Sequence, residues 1–105
     1  MVKEITVQEL KTLMDEKKDF QLIDVREEFE YEAANIGATL IPLGNILLEA
    51  EKIDKDKLVV IHCRSGARSA AAIMQLEQQF GFTNLVNLKG GILAWIAMTE
   101  SQSNA

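Results

Sequence analysis

The chain contains one cysteine, one histidine and one proline, and each scarcity removes a class of chemistry. A single thiol cannot close an internal disulfide or run a dithiol redox cycle. A single histidine beside a single cysteine, His62–Cys63, cannot supply three or four ligands at zinc spacing. No apolar run approaches the roughly 18–20 residues of a membrane span. Basic charge is also short, with 11 Lys and Arg against 16 Asp and Glu and a net charge of −5. That balance argues against nucleic-acid and membrane-surface partners, which select a basic footprint. The opening MVKEITVQEL carries Glu4 and no apolar h-region, so it does not read as a secretory signal. A cytoplasmic protein is the expectation, and nothing in the residues implies a metal or a cofactor.

What is present is the material of one domain. The 105 residues are 48% hydrophobic and 26% charged, the composition of a globular fold with a single core. Residues 1–100 read as that domain and 101–105, SQSNA, as a polar tail. Thr6 and Glu9 have capping-box spacing ahead of Val7, Leu10, Leu13 and Met14, which predicts a helix over about 7–17. FQLIDV (20–25) reads as a strand, EEFEYEAA (27–34) as one or two helical turns, and ATLIPL (38–43) as an extended segment. ILLEAEKI (46–53) reads as a short helix. KLVVIH (57–62) is a continuous apolar run rich in β-branched residues, as in a strand buried on both faces. ARSAAAIMQLEQQF (67–80) is a strong helix former, with Ile73, Leu76 and Phe80 expected towards the core and Gly81 ending it. NLVNL (84–88) is a further strand, and Gly90-Gly91 opens a last helix. Strands alternating with helices predict an α/β fold, a mostly parallel sheet with helices on both faces. Ligands in such folds sit beyond the carboxyl ends of the strands.

Cys63 falls at that edge, in VVIHCRSGARSA (59–70). A tight turn from strand to helix over 63–68 makes backbone N–H groups converge, and the helix N-terminus points at the same spot. Gly66 supplies the backbone freedom of such a turn, and Ser65 adds a donor. Arg64 and Arg68 bring cations into an otherwise acidic chain. A thiol in this setting has its pKa lowered from about 8.5 and is substantially thiolate near neutral pH. The bland alternative makes Cys63 a small core residue and the arginines solvated surface groups. A core position alone does not explain the donors and cations that follow it. The residues therefore point to single-thiol covalent chemistry on an anionic substrate. His62, as the preceding strand residue, is expected to face away from Cys63. Trp95 is expected in core packing.

Three blocks, LIDVREEFEYEAANIGATLIPL (22–43), VVIHCRSGARSAAA (59–72) and GFTNLVNLKGGILAW (81–95), make the chain resemble the single-domain rhodaneses, a sulfurtransferase family, over nearly its full length. The resemblance implies a three-layer fold with a five-stranded, mostly parallel sheet. It implies that Cys63 takes a sulfane sulfur from a small anionic donor such as thiosulfate, or from a persulfide. The resulting persulfide then passes the sulfur to a thiophilic acceptor, cyanide or a thiol, with a protein acceptor as a further option. Arg64, Ser65, Gly66, Ala67 and Arg68 would hold donor and persulfide. Asp24 and Arg26 match the family's D-V-R, either beside the loop with Asp24 accepting its hydrogen bonds or, the preferred reading, as a supporting strand-end ion pair. A rhodanese-like sulfur-carrier or binding module with little turnover of its own is the alternative. Phosphatases of the same fold use C-x5-R, whereas RSGA places four residues between Cys63 and Arg68, a loop of sulfur size. One departure is the segment AANIGA (33–38), where family members commonly read G-H-I-P-G-A; it lies far from the cysteine loop in sequence.

Overall fold

A computed structural model describes residues 2–103. Five parallel strands form one sheet in the order β1-β5-β4-β2-β3, with β1 at Glu4–Ile5, β2 at Phe20–Asp24, β3 at Thr39–Leu40, β4 at Leu58–His62 and β5 at Leu85–Leu88. The helices are α1 (Val7–Asp15), α2 (Glu28–Ala33), α3 (Ala67–Phe80) and α4 (Gly91–Ser103). Among the described residues no helix is long and apolar enough to cross a membrane.

Strand β4 is the middle of the sheet, and its sequence shows why. Val59, Val60, Ile61 and His62 are all buried, so both faces of the strand must be covered. Alternation sends Val59, Ile61 and Cys63 to one side, where they pack with Ala72, Ile73 and Leu76 of α3. Val60 goes to the other, with Val7 and Leu10 of α1 and Met98 of α4. Trp95 packs partly buried against this second cluster, as expected. The Thr6–Glu9 capping box forms: Thr6 Oγ1 accepts from the Glu9 amide at 3.1 Å and Glu9 Oε1 from the Thr6 amide at 3.0 Å.

Several local expectations are corrected. The fifth strand, β1, is only two residues long, too short to show a period-2 pattern. The extended segment at 38–43 contributes two strand residues, then bends at Pro42 into a 3₁₀ turn over Leu43–Asn45. In place of a helix at 46–53 there is a second 3₁₀ turn at Ala50–Lys52. Ile46 and Ile53 are buried there while Leu48 is 81% exposed. A short stretch without side-chain caps pins two isoleucines to the core but does not meet the cost of helix nucleation. Phe80, the last residue of α3, is 45% exposed and not in the core. Its ring stands edge-on to Phe82. At the C-terminus α4 continues through Ser103, so residues 101–103 of the expected tail are helical and 104–105 lie outside the described residues.

His62 is registered against Asp24 across β2 and β4 and sits on the opposite face from Cys63. Its Nε2 lies 3.6 Å from Asp24 Oδ2, and its Nδ1 lies 3.4 Å from the Cys63 carbonyl oxygen. Burial pushes its pKa below the usual histidine value, against the attraction of Asp24, so the ring is neutral in the fold at pH 7. The unfolded chain then binds a proton near pH 6.5 that the folded chain refuses. Stability is accordingly full above that pH and falls below it, by up to about 1.4 kcal/mol per pH unit from this one site. Urea denaturation from pH 8 to pH 5 is expected to show that decline, and His62→Gln to flatten it.

Candidate active site

The site is assembled where β4 gives way to α3. Cys63 is 1% exposed, at the base of a loop formed by the next residues. Gly66 is the N-cap of α3 with φ of 116°, a left-handed conformation that costs little only for glycine. That conformation aims the Gly66 amide at Cys63 Sγ, 3.1 Å away. Ser69, on the first turn of α3 and fully buried, places its hydroxyl 3.4 Å from the same sulfur. Burial by itself pushes the thiol pKa up. The Ser69 hydroxyl and the amides of Ser69, Gly66 and Ser65 together outweigh it, and the pKa lies below the ordinary thiol value. The lowered pKa matches expectation, but the groups responsible are a hydroxyl and backbone amides more than the flanking arginines.

Amides can face the sulfur only if the carbonyls of the same turn face elsewhere and find donors there. The opening of α4 supplies them: the Ile92 amide donates to the Cys63 carbonyl at 2.9 Å and the Leu93 amide to the Arg64 carbonyl at 3.1 Å. Gly91 makes this approach feasible. A Cβ on residue 91 would lie 2.4 Å from the Arg64 carbonyl oxygen and 2.6 Å from that of Cys63. The Gly-Gly dipeptide, legible in the sequence as a helix opening, is a clamp on the cysteine loop.

The two loop arginines have different roles. Arg68 forms a two-pronged pair with Glu30 of α2, Nη1 to Oε1 at 2.6 Å and Nη2 to Oε2 at 2.9 Å. The Arg68 bond is the main reason the Glu30 carboxyl is held down at about 2. Arg64 is exposed, and among the described residues no hydrogen bond or ion pair engages its guanidinium. It borders a cleft of about 290 Å³ between α2 and α4, whose walls include Phe29, Ala33, Ala34, Leu93 and Ile96. The segment beginning at Ala33, remote in sequence, thus adjoins the cysteine loop in space. Ser65 and Ala67 are exposed on the loop.

Asp24 and Arg26 form a buried ion pair at the end of β2, and among the described residues no N–H of the cysteine loop donates to the Asp24 carboxylate. Asp24 Oδ1 accepts from the Arg26 amide at 2.9 Å and Oδ2 from Nη2 at 2.8 Å. Arg26 Nη2 also donates to the Ala34 carbonyl at 2.7 Å. The pair therefore anchors the chain leaving α2, which in turn holds Glu30 against Arg68. Sequence reasoning missed Ser69, Asn87 and Glu30. Ser69 sits one residue past the C-x4-R span, and Glu30 was legible only through its spacing from Glu27. Asn87, in β5, carried no sequence signal.

With this geometry in view, the comparisons with known proteins are specific. The family model for the rhodanese-like domain matches residues 6–98. The chain belongs to that family. A sulfurtransferase of Allochromatium vinosum is 41% identical over 96 residues, covering 90% of this chain and 89% of that protein. The thiosulfate sulfurtransferase GlpE of Coxiella burnetii is 33% identical over 82 residues, 77% of this chain and 76% of its own. Among solved structures, a rhodanese-like domain protein from Staphylococcus aureus superposes with a TM-score of 0.82 at 37% identity, covering 90% of this chain and 91% of that one. The domain also matches part of longer proteins: it spans 24% of the protein named "Probable adenylyltransferase/sulfurtransferase MoeZ" of Mycobacterium tuberculosis. The chain is thus a rhodanese-like sulfurtransferase by family.

Two substitutions test the site as a physical object. Gly91→Ala is expected to expel the α4 opening from the cysteine loop, lowering stability by about 1–3 kcal/mol or more and slowing alkylation of Cys63 by iodoacetamide. Glu30→Gln weakens the Arg68 pair. The native carboxyl is held below its unfolded value, so its contribution is complete above about pH 4.5 and lost towards pH 2. Acid unfolding of Glu30→Gln is expected to show a shallower pH dependence in that window.

Proposed function

We propose that this protein moves a sulfane sulfur from thiosulfate, or from a persulfide, to a thiophilic acceptor through a persulfide on Cys63. The observation that carries the reading is the convergence of the Gly66 amide and the Ser69 hydroxyl on one sulfur whose pKa is lowered. In the first step the Cys63 thiolate attacks the outer sulfur of thiosulfate. A new S–S bond forms, the bond to the sulfonate sulfur breaks, and sulfite leaves with that electron pair. In the second step cyanide attacks the outer sulfur of the persulfide; thiocyanate departs and the pair returns to Cys63 as thiolate.

Each part of the loop has a task in this scheme. Arg64, uncommitted and exposed, draws the anionic donor to the mouth. Arg68, neutralised by Glu30, sets the shape of the loop and adds little net charge. The amides of the 64–68 turn and the N-terminus of α3 hold the anionic outer sulfur of the persulfide. The similarity to a protein described as a thiosulfate sulfurtransferase supports thiosulfate as the donor to try first.

The decisive experiment is intact-mass measurement of the reduced protein before thiosulfate, after thiosulfate, and after cyanide, with Cys63→Ser in parallel. The expected result is a gain of one sulfur that cyanide removes and the variant never shows. Reversal matters because a sulfinic acid, of nearly the same added mass, is not undone by cyanide. Because the thiolate is the attacking form, the rate of sulfur gain should fall as pH drops through the Cys63 pKa, below the range of an ordinary thiol. No mass change with thiosulfate or with an organic persulfide overturns the reading.

A further inference from the structure

The Ser69 hydroxyl has a single proton and three acceptors within reach. Asn87 Oδ1 is at 2.5 Å, the Gly66 carbonyl oxygen at 3.2 Å and Cys63 Sγ at 3.4 Å. Asn87 cannot turn away, because its amide nitrogen donates to the Gly66 carbonyl at 3.1 Å and faces Glu4 Oε2 at 3.4 Å. Its orientation fixes Oδ1, the best acceptor, permanently beside the hydroxyl. Both Ser69 and Asn87 are buried, so no bulk water relieves the contest.

We propose that Ser69 is a positioning residue for the nucleophile, a hydroxyl rotor that donates to Cys63 Sγ when the sulfur is anionic and to Asn87 when it is not, with Asn87 acting as the competing acceptor. In the resting thiol the proton lies on the short bond to Asn87. When the thiol loses its proton to solvent, the hydroxyl turns to the new charge, since a hydrogen bond to an ion is the stronger one. After attack on the donor, Sγ becomes the inner, uncharged sulfur of the persulfide and the hydroxyl returns to Asn87. When the acceptor takes the outer sulfur, the S–S electron pair comes back to Sγ and the hydroxyl follows it. Ser69 thus stabilises the thiolate both as nucleophile and as leaving group, and Asn87 keeps that stabilisation from being complete. The proposal rests on the sulfur-transfer reading for its purpose, but its titration test does not.

The other charged groups around the sulfur keep their partners through the test, save Glu4, which loses the Asn87 side chain in Asn87→Ala. Arg64 belongs to the loop, and Arg68 of α3 is paired with Glu30 of α2. Asp24 and Arg26, at the end of β2, pair with each other; His62 of β4 points to the far face; Glu4 of β1 contacts Asn87. The first turn of α4 carries no acid.

The experiment is the pH dependence of Cys63 alkylation by iodoacetamide, with thiolate absorbance, in the native chain, Ser69→Ala and Asn87→Ala, each checked for a cooperative thermal transition. Ser69→Ala is expected to titrate at higher pH, with alkylation at pH 7 slower by about tenfold, the scale of one hydrogen bond to a charged group. Asn87→Ala is expected to titrate at lower pH, because the hydroxyl loses its rival. An unchanged titration in Ser69→Ala, or one moved upward in Asn87→Ala, overturns the proposal. Sulfur gain from thiosulfate, measured on the same proteins above their thiol pKa values, reports on the sulfur-transfer reading separately. If no protein gains sulfur while the two titrations shift in opposite directions, the rotor stands and the transfer reading falls.

Discussion

Everything at this site depends on one constraint of the peptide unit: a turn that aims its N–H groups inward must send its carbonyls outward. The 63–66 turn surrounds a buried sulfur with donors, and its outward carbonyls would be left unpaired in the interior without help. The opening of α4 meets two of them, at Cys63 and Arg64, and that of Gly66 accepts from the Ala70 amide of α3 and from Asn87. Two sequence features remote from the cysteine, and one within its loop, are thereby engaged by it. Gly91 lets α4 approach, Asn87 reaches across from β5, and Gly66 adopts the left-handed backbone that starts α3. An unmade buried hydrogen bond costs about 1–3 kcal/mol, so losing any of these partners strains the loop as a whole.

Charge around the thiol follows a second logic. Three arginines lie in or beside the loop, yet two are neutralised at short range, Arg26 by buried Asp24 and Arg68 by Glu30. The buried Asp24–Arg26 pair contributes little net stability but is costly to break on one side, about 3–5 kcal/mol. The partly exposed Arg68–Glu30 pair is screened by solvent and costs less. These pairs therefore act as fasteners. One holds the chain after α2 through the Ala34 carbonyl, and the other joins α2 to the first turn of α3. The net acidity of the chain and the cationic look of C-R-S-G-A-R are reconciled in this way. One guanidinium, that of Arg64, is left to face solvent, beside a cleft with exposed Phe29 and Leu93 in its walls.

The elements that were legible in sequence are those whose pattern has a single physical cause. The run LVVIH marks a strand covered on both faces, Thr6 and Glu9 a capping box, and Cys63 followed by Gly66 a strand-to-helix turn with donors inside. What escaped depends on tertiary context. Glu4–Ile5 becomes a strand only because β5 offers an edge, and two residues carry no period. The 46–53 segment has helical composition, but its two buried isoleucines are satisfied by 3₁₀ turns. The arginines were legible as cations, while the partner that neutralises Arg68 lies 38 positions away. Ser69 looked like an ordinary serine in an alanine-rich helix until its neighbours came into place.

The short edge strand has a consequence out of proportion to its length. Glu4 is registered opposite Asn87, and the Asn87 amide donates to the Lys3 carbonyl at 2.8 Å. Pairing with β1 thus fixes the backbone of the residue whose side chain holds both the Gly66 carbonyl and the Ser69 hydroxyl. Contacts run from the N-terminal strand through Asn87 to Ser69, whose hydroxyl serves either Asn87 or the sulfur, and among the described residues the hydrogen bonds to Sγ come from uncharged donors. In a dry interior the field of such oriented dipoles is weakly screened. Thiolate stabilisation by dipoles held in place by the fold does not need a cation at the sulfur. That leaves the uncommitted charge of Arg64 at the entrance, where an anionic donor first meets the protein.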